Sequence, residues 1–404
     1  MKILIGVLYT LLPEILLFSF AILLGWQAQS FPHAGQLAAE ITTAAILVSV
    51  LALSLQFNKS RLFFALLVLL LAYGGLLLLM RAPDSVSQDA LRGCLCLFLP
   101  LDLLLFSRIE ERGIFTRYGA VWFGLVGAES LLPAGLIAAR GDGVAAALDV
   151  RFISTSVTSL PITQPGLLAI GLGLLWLNDR LLRRHSAELA AFFLSLVVAL
   201  PMLYAGGPAV VAVFAGAAGL AFGYALIQES WSMAYLDELT GLPGRRALEE
   251  HMRQLGGHYV IAMVDVDHFK HFNDRYGHDV GDQVLRFVAS RLELKAPGGK
   301  PFRYGGEEFS LIYAGRGLAD VEAELEQLRA DIETCRFDLR RRGRRNEDHL
   351  GQEPGAEADM LAITVSIGAA EGGAGEHEPW AVLKSADKAL YAAKHAGRNR
   401  MSLA

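Results

Sequence analysis

Arg303-Tyr304-Gly305-Gly306-Glu307-Glu308-Phe309-Ser310-Leu311-Ile312-Tyr313 joins a tight turn to a strand. The paired glycines let the backbone reverse without steric penalty, and Phe309 to Tyr313 is an apolar run that predicts a buried strand. Glu307 and Glu308 leave the turn side by side, and neighbouring side chains in extended chain diverge, so the two carboxylates can take different tasks.

Outward from this hairpin the pattern is that of an α/β domain. Tyr259 to Val266 is an apolar, β-branched run that predicts a second buried strand. Asp265 lies at its end and Asp267 follows two positions on, which side-chain alternation places on one face. Val280, Val284, Leu285, Val288 and Leu292 have helical spacing, predicting a helix over Val280 to Leu294. Leu318 to Phe337 reads as a helix, Leu361 to Ala369 as a strand, and Pro379 to Ala396 as a helix closed by Gly397. Arg340 to Ala358 is rich in charge and glycine and reads as an excursion from the fold, its arginines at 340, 341, 342, 344 and 345 read as solvated or as an anionic-lipid or nucleic-acid contact.

Phosphoryl transfer on a nucleotide needs carboxylates to hold a divalent metal, glycine where backbone must approach phosphate, and cations for the remaining charge. Asp265 and Asp267, Glu307 and Glu308, Gly305 and Gly306 supply the first two. Lys394 and Arg398, four apart near a helix end, lie on one helix face where two cations can meet a triphosphate.

Taken in order, these blocks resemble the GGDEF family of diguanylate cyclases over Leu236 to Leu403. They are Asp237-Glu238-Leu239-Thr240-Gly241-Leu242-Pro243-Gly244-Arg245-Arg246, Asp265-Val266-Asp267-His268-Phe269-Lys270-His271-Phe272-Asn273-Asp274 and Gly277-His278-Asp279-Val280-Gly281-Asp282. Arg303 to Phe309, Thr364-Val365-Ser366-Ile367-Gly368, Ala386-Asp387-Lys388-Ala389-Leu390-Tyr391-Ala392-Ala393-Lys394 and Gly397-Arg398-Asn399-Arg400 complete the series. The active family signature accepts Asp or Glu at its third position, so Gly305 to Phe309 is an intact form. The resemblance implies a mainly antiparallel central sheet flanked by helices, similar to the nucleotide cyclase and polymerase palm.

It also implies condensation of two GTP into cyclic di-GMP with release of pyrophosphate. Asp265, the Val266 carbonyl, Glu307 and Glu308 would hold Mg2+ or Mn2+, with Glu308 also a candidate for drawing the proton from the attacking hydroxyl. Gly305 and Gly306 would lie close to the nucleotide, Asn273 and Asp282 would hydrogen-bond the guanine edge, and Phe269, Lys270, Lys394 and Arg398 would contact phosphate. Asp282 argues against relatives that make mixed cyclic dinucleotides, in which that position is altered. One domain binds one GTP, so a homodimer is implied. The family's product-inhibition site would need Arg and Asp at what are here Ala296 and Gly299, so ordinary feedback inhibition is expected to be absent. Gly244 replaces the family's usual Asn. A non-catalytic GTP or cyclic-dinucleotide receptor is the alternative, although such members usually lose a metal carboxylate or the signature.

The first half is of another kind. The 404-residue chain is 53% hydrophobic and 19% charged, with a mean hydropathy of +0.39, which points to membrane. Eight apolar runs, each near the roughly 20 residues that cross about 30 Å of hydrocarbon, are Leu4 to Trp26, Leu37 to Phe57, Leu62 to Met80, Leu91 to Ser107, Tyr118 to Ala139, Pro165 to Leu177, Leu189 to Ala205 and Ala209 to Ile227. The first, after Lys2, reads as an uncleaved helix and not a signal peptide, because more spans follow. Lys59 and Arg61, then Arg108, Arg112 and Arg117, then Arg180, Arg183 and Arg184 fall in alternate loops, against fewer cations at Arg81, Arg92, Arg140 and Arg151. That bias, with an even number of spans, puts both the N-terminus and the second half in the cytoplasm, and the family resemblance implies a bacterial inner membrane.

The expected organisation is therefore a multi-pass, sensory membrane domain over 1–228, a helical linker over 229–236 and the catalytic domain over 237–404. A transporter with a regulatory tail is a third reading of the whole. Glu14, Asp102 and Glu129 fall within predicted spans, where they serve either a sensory or ion site for an unknown signal or the fixing of helix packing. A net charge of −5 with both signs mixed gives no basic face for nucleic acid. Cys94, Cys96 and Cys335 are too few for a disulfide framework or zinc site and read as packing residues. His268, His271 and His278 read as non-ligands, since oxygen donors suit magnesium better.

Overall fold

The computed structural model describes residues 2–80, 85–138, 164–183, 186–204, 207–296, 298–338, 360–373 and 378–404. Arg81, Arg140, Arg151, Arg184 and the arginine-rich stretch lie outside them. The chain divides into two compact units, Met1–Ser230 and Trp231–Ala404.

The first unit is helical. Its described elements are α1 (Lys2–Ala28), α2 (His33–Gln56), α3 (Ser60–Leu79), α4 (Ser85–Arg108), α5 (Arg117–Ala138), α6 (Gln164–Arg183), α7 (Ala187–Tyr204) and α8 (Pro208–Tyr235). Each of the eight apolar runs thus falls on a helix, but the expected number of spans is only partly met. Four described helices are long and apolar enough to cross a membrane: Leu11–Ala28, His33–Gln56, Ser60–Leu79 and Pro208–Tyr235. Ala187–Leu203 is apolar but shorter, and α4 and α6 are diluted by charged residues such as Asp102 and Asp179. Glu14 and Asp102 are buried, and neither Glu14 carboxylate oxygen has a hydrogen-bond partner among the described residues.

One end of this unit is a polar cluster. Lys59 Nζ lies 2.6 Å from Glu229 Oε1 and Arg61 Nη1 3.3 Å from Glu188 Oε2, while Arg61 Nη2 donates to the Ser107 carbonyl at 2.7 Å and Ser60 donates to Glu111 through both its N–H and its hydroxyl. Lys59 and Arg61, read from sequence as loop cations, are therefore mostly paired groups that tie helix ends together. The link read over 229–236 is the last part of α8, which ends at Tyr235.

The second unit runs α9 (Arg245–Arg253), β1 (Tyr259–Val266), α10 (Phe269–Tyr276), α11 (His278–Lys295), β2 (Lys300–Gly305), β3 (Glu308–Ala314), α12 (Leu318–Thr334), β4 (Arg336–Asp338), β5 (Met360–Ala362), β6 (Val365–Gly372), α13 (Pro379–His395) and β7 (Met401–Leu403). Five strands form one sheet in the order β2-β3-β1-β6-β7, and β4 pairs with β5 separately. All neighbours in the large sheet are antiparallel except β6 and β7, so it is mixed.

Alternation along β1 builds the two faces. Val260, Ala262, Val264 and Val266 pack with Val284, Leu285, Val288 and Leu292 of α11 and with Val321, Leu325 and Leu328 of α12. Tyr259, Ile261 and Met263 pack with Leu248 and Met252 of α9 and with Val382, Leu383, Ala386 and Leu390 of α13. At Gly368 a Cβ would sit 2.0 Å from the Leu390 nitrogen, so α13 rests directly on the backbone of β6.

Two expected elements end differently. The helix read as Leu318 to Phe337 stops at Thr334, with Cys335 extended and Arg336–Asp338 paired to Met360–Ala362. The strand read as Leu361 to Ala369 is two strands in different sheets, divided at Ile363 and Thr364.

Candidate active site

Asp265 continues the α13-facing parity of β1. It stands opposite Glu308 of β3 and opposite Ser366 of β6, and its side chain is only 6% exposed. Because α13 lies against β6, Lys394 in its last turn reaches Asp265, with Nζ 2.8 Å from Oδ2. Burial raises the Asp265 pKa above the ordinary carboxylate value, an effect the Lys394 hydrogen bond and charge partly offset. Burial and then the Asp265 charge likewise raise Glu307 and Glu308.

Three carboxylates thus crowd one end of the sheet with a single lysine on the most buried of them. Such a set favours binding a proton or a cation. Its donors are all carboxylate oxygens, which suit Mg2+ or Mn2+ better than softer metals. Among the described residues no group of three or more His, Cys, Asp or Glu side chains is drawn together as a preformed metal cage.

The turn that presents Glu307 is set from behind. Gly306 has φ +55°, a left-handed conformation that suits glycine, and the β2–β3 register shifts between Arg303 and Gly305. Arg303 spans the turn: Nε and Nη2 donate to the Gly306 carbonyl at 3.2 and 2.7 Å, and Nη1 donates to Asp237 Oδ1 at 2.7 Å. Asp237 Oδ1 also accepts from the Thr240 N–H and hydroxyl, and the Arg303 N–H donates to the Pro243 carbonyl at 2.8 Å. Sequence reasoning gave Arg303 and Asp237 no task. The Asp-x-x-Thr spacing is a signal for a side-chain-capped turn, but nothing local announces a partner in β2.

On the far side of β1, His268 in the left-handed region opens α10, and Phe269 is buried. The first-turn N–H groups of Phe269 and Lys270 have no intrahelical acceptor, an arrangement that suits an anion. Asn273 of α10 lies against α11 at Gly281, beside Asp282. The Asn273 amide oxygen is buried without a hydrogen-bond partner among the described residues. His271 and His278 are exposed.

Asp267 departs from its expected place. The strand ends at Val266, and the Asp267 carboxylate accepts hydrogen bonds from Thr364, Ser366 and the Asn399 N–H, so it braces the loop after α13. Gly244, the residue in the family's usual Asn position, is the N-cap of α9 with extended backbone, and its N–H donates to the Tyr235 carbonyl at 2.7 Å.

Residues 234–400 match the family model described as diguanylate cyclase, GGDEF domain. The diguanylate cyclase DgcP of Pseudomonas aeruginosa is 39% identical over 189 residues, covering 44% of this chain and 25% of that protein. The response regulator PleD of Caulobacter vibrioides is 38% identical over 182 residues, covering 43% of this chain and 37% of that protein. The chain therefore spans well under half the length of these curated relatives. The crystal structure of the GGDEF domain of DgcB from Caulobacter crescentus in complex with c-di-GMP is 36% identical, covering 42% of this chain and 93% of that one with a TM-score of 0.37.

Proposed function

We propose that the chain, whose residues 234–400 match the GGDEF family model, is a membrane-embedded diguanylate cyclase that condenses two GTP into cyclic di-GMP and pyrophosphate. The observation that carries this is the facing pair Asp265 and Glu308 on adjacent strands, with Lys394 on Asp265 and Glu307 in the adjoining turn. That is a carboxylate and cation set suited to a triphosphate and its metal.

Asp265, the Val266 carbonyl, Glu307 and Glu308 would hold Mg2+ or Mn2+, which supplies charge neutralisation at the attacking and leaving oxygens. Lys394 and Arg398 take up phosphate charge, and the Phe269 and Lys270 N–H groups receive phosphate oxygens at the start of α10. Asn273 and Asp282 read the guanine edge, a role supported by the unpartnered amide oxygen of Asn273. Glu308, its proton affinity raised by burial and then by Asp265, is the candidate for taking the proton of the 3′-hydroxyl, since a raised pKa brings a carboxylate nearer the working pH.

One such site holds one nucleotide, so product forms only when two copies face each other and each 3′-hydroxyl attacks the other nucleotide's α-phosphate. Residues 1–228 then act as a multi-pass inner-membrane domain that responds to a signal, 229–236 as the helical linker, and 237–404 as the cytoplasmic cyclase. The purified full chain incubated with GTP and Mg2+ should yield cyclic di-GMP by chromatography, and Glu308→Ala should abolish it. Tight GTP or cyclic-dinucleotide binding without turnover, at concentrations that force dimerisation, would favour the receptor reading.

A further inference from the structure

The loop between α13 and β7 has an unusual backbone. Arg398 and Asn399 both sit in the left-handed region, with φ +62° and +46°, after Gly397 at +118°. Side-chain-bearing residues hold that conformation only where surrounding contacts over-determine it. Here those contacts converge on Asn399. Its N–H donates to Asp267 Oδ2 at 3.0 Å, its Nδ2 donates to Glu333 Oε1 at 2.7 Å, and its Oδ1 accepts from Arg329. Asp267 is itself fixed by the Thr364 hydroxyl at 2.8 Å and the Ser366 hydroxyl at 2.6 Å, both rising from β6 and the residue before it.

Arg398 is the residue immediately before this anchor. Its N–H donates to the Ala393 carbonyl at 3.1 Å, and its own carbonyl accepts from Arg400 Nε at 3.1 Å. Its backbone is therefore clamped while its side chain is exposed, on the loop that follows Lys394 and close enough to Asp265 for its charge to be felt there.

We propose that Asp267, acting through Asn399, is a positioning residue that sets the left-handed loop and thereby aims Arg398 at the nucleotide triphosphate. The inference rests on the cyclase reading for the identity of the ligand. It assigns Asp267 a task apart from the metal-binding carboxylates: its negative charge is consumed by three donors and serves to hold a cation in place from behind.

The test is a double-mutant cycle on the full chain in detergent, reading KM and kcat for GTP and, independently of turnover, the Kd of a non-hydrolysable GTP analogue. Asp267→Asn and Arg398→Ala should each raise KM and Kd roughly tenfold, the size of one charge-assisted contact, with kcat within about threefold. The double variant should be no worse than Arg398→Ala alone, because both changes remove the same contact. An unchanged Kd in Asp267→Asn, or losses that add in the double variant, overturns the proposal. Should Asp267→Asn lose its cooperative melt, Thr364→Val carries the expectation in the same direction, since it removes a donor that fixes the Asp267 carboxylate under the Asn399 N–H. A wild-type chain that binds the analogue yet makes no product defeats the cyclase reading, and the Kd comparison still decides this one.

Discussion

Arg303 and Asp237 form an ion pair of 2.7 Å across 66 positions of sequence, and the same guanidinium holds the carbonyl of Gly306. The first block of the domain and the turn that presents Glu307 are thereby one mechanical unit. Burial opposes ionisation of Asp237, but the hydrogen bonds from Thr240 and Arg303 outweigh it and lower the pKa. A carboxyl whose folded pKa lies below its unfolded one adds stability above the unfolded value, and that stability is lost as pH falls through the folded value. Thermal melts should therefore show a loss of stability below about pH 4 that Asp237→Asn flattens. The pair is partly buried, so Arg303→Met should cost about 2 kcal/mol of stability and lower product formation, because the turn loses its support.

Asp265, Glu307 and Glu308 run the other way. Their pKa values are raised, by burial first and then, for the glutamates, by Asp265, so the folded state binds protons more readily than the unfolded chain. In metal-free protein this term makes stability fall as pH rises above about 4. Mg2+ should raise the melting temperature at neutral pH, by the equivalent of about 1–3 kcal/mol near saturation. In Asp265→Asn both the pH slope and the Mg2+ increment should shrink. An undiminished increment in that variant would place the metal elsewhere.

Gly299 leaves no room for a side chain without moving Tyr313. A Cβ there would lie 2.6 Å from Cζ of Tyr313, whose ring is fully buried, and Ala296 is buried as well. On the cyclase reading, cyclic di-GMP added to the reaction should leave the initial rate unchanged at concentrations well above those formed in the assay. Gly299→Ala should destabilise the protein by about 1–3 kcal/mol, the usual cost of overpacking, read as a lower melting temperature.

What the sequence discloses here depends on whether a signal is local. The parity of Tyr259 to Val266 announces both faces of the sheet, and the apolar runs announce the helices of the first unit, because each pattern lies within one segment. Chain-distant relations leave no such mark. Phe337 continues a helical period, yet Arg336–Asp338 is drawn into pairing with Met360–Ala362. Asp267 shares a parity with Asp265, but the donors of Thr364, Ser366 and Asn399 claim it. In the first unit apolar length reveals helices but does not decide which of them cross a membrane: among the described residues four are long and apolar enough.

The pairing of Lys59 with Glu229 gives the last test. Glu229 sits in the stretch of α8 that leads out of the first unit, and Lys59 Nζ approaches it to 2.6 Å with a side chain only 11% exposed. Arg61 and Glu188 form a second, similarly shielded pair nearby. Lys59 is the shielded member and the Glu229 side chain is 36% exposed, so the pair is only partly screened and its loss is felt mainly at the buried end. Lys59→Glu should therefore lower the melting temperature of the purified full chain, by the equivalent of about 2 kcal/mol, as should Glu229→Lys. The double swap restores an opposite-charge pair and should recover most of the loss, giving a coupling energy of about 1–2 kcal/mol in tryptophan-fluorescence melts. Additive losses in the double swap would mean that each residue is held by other groups and that the two do not act as a pair.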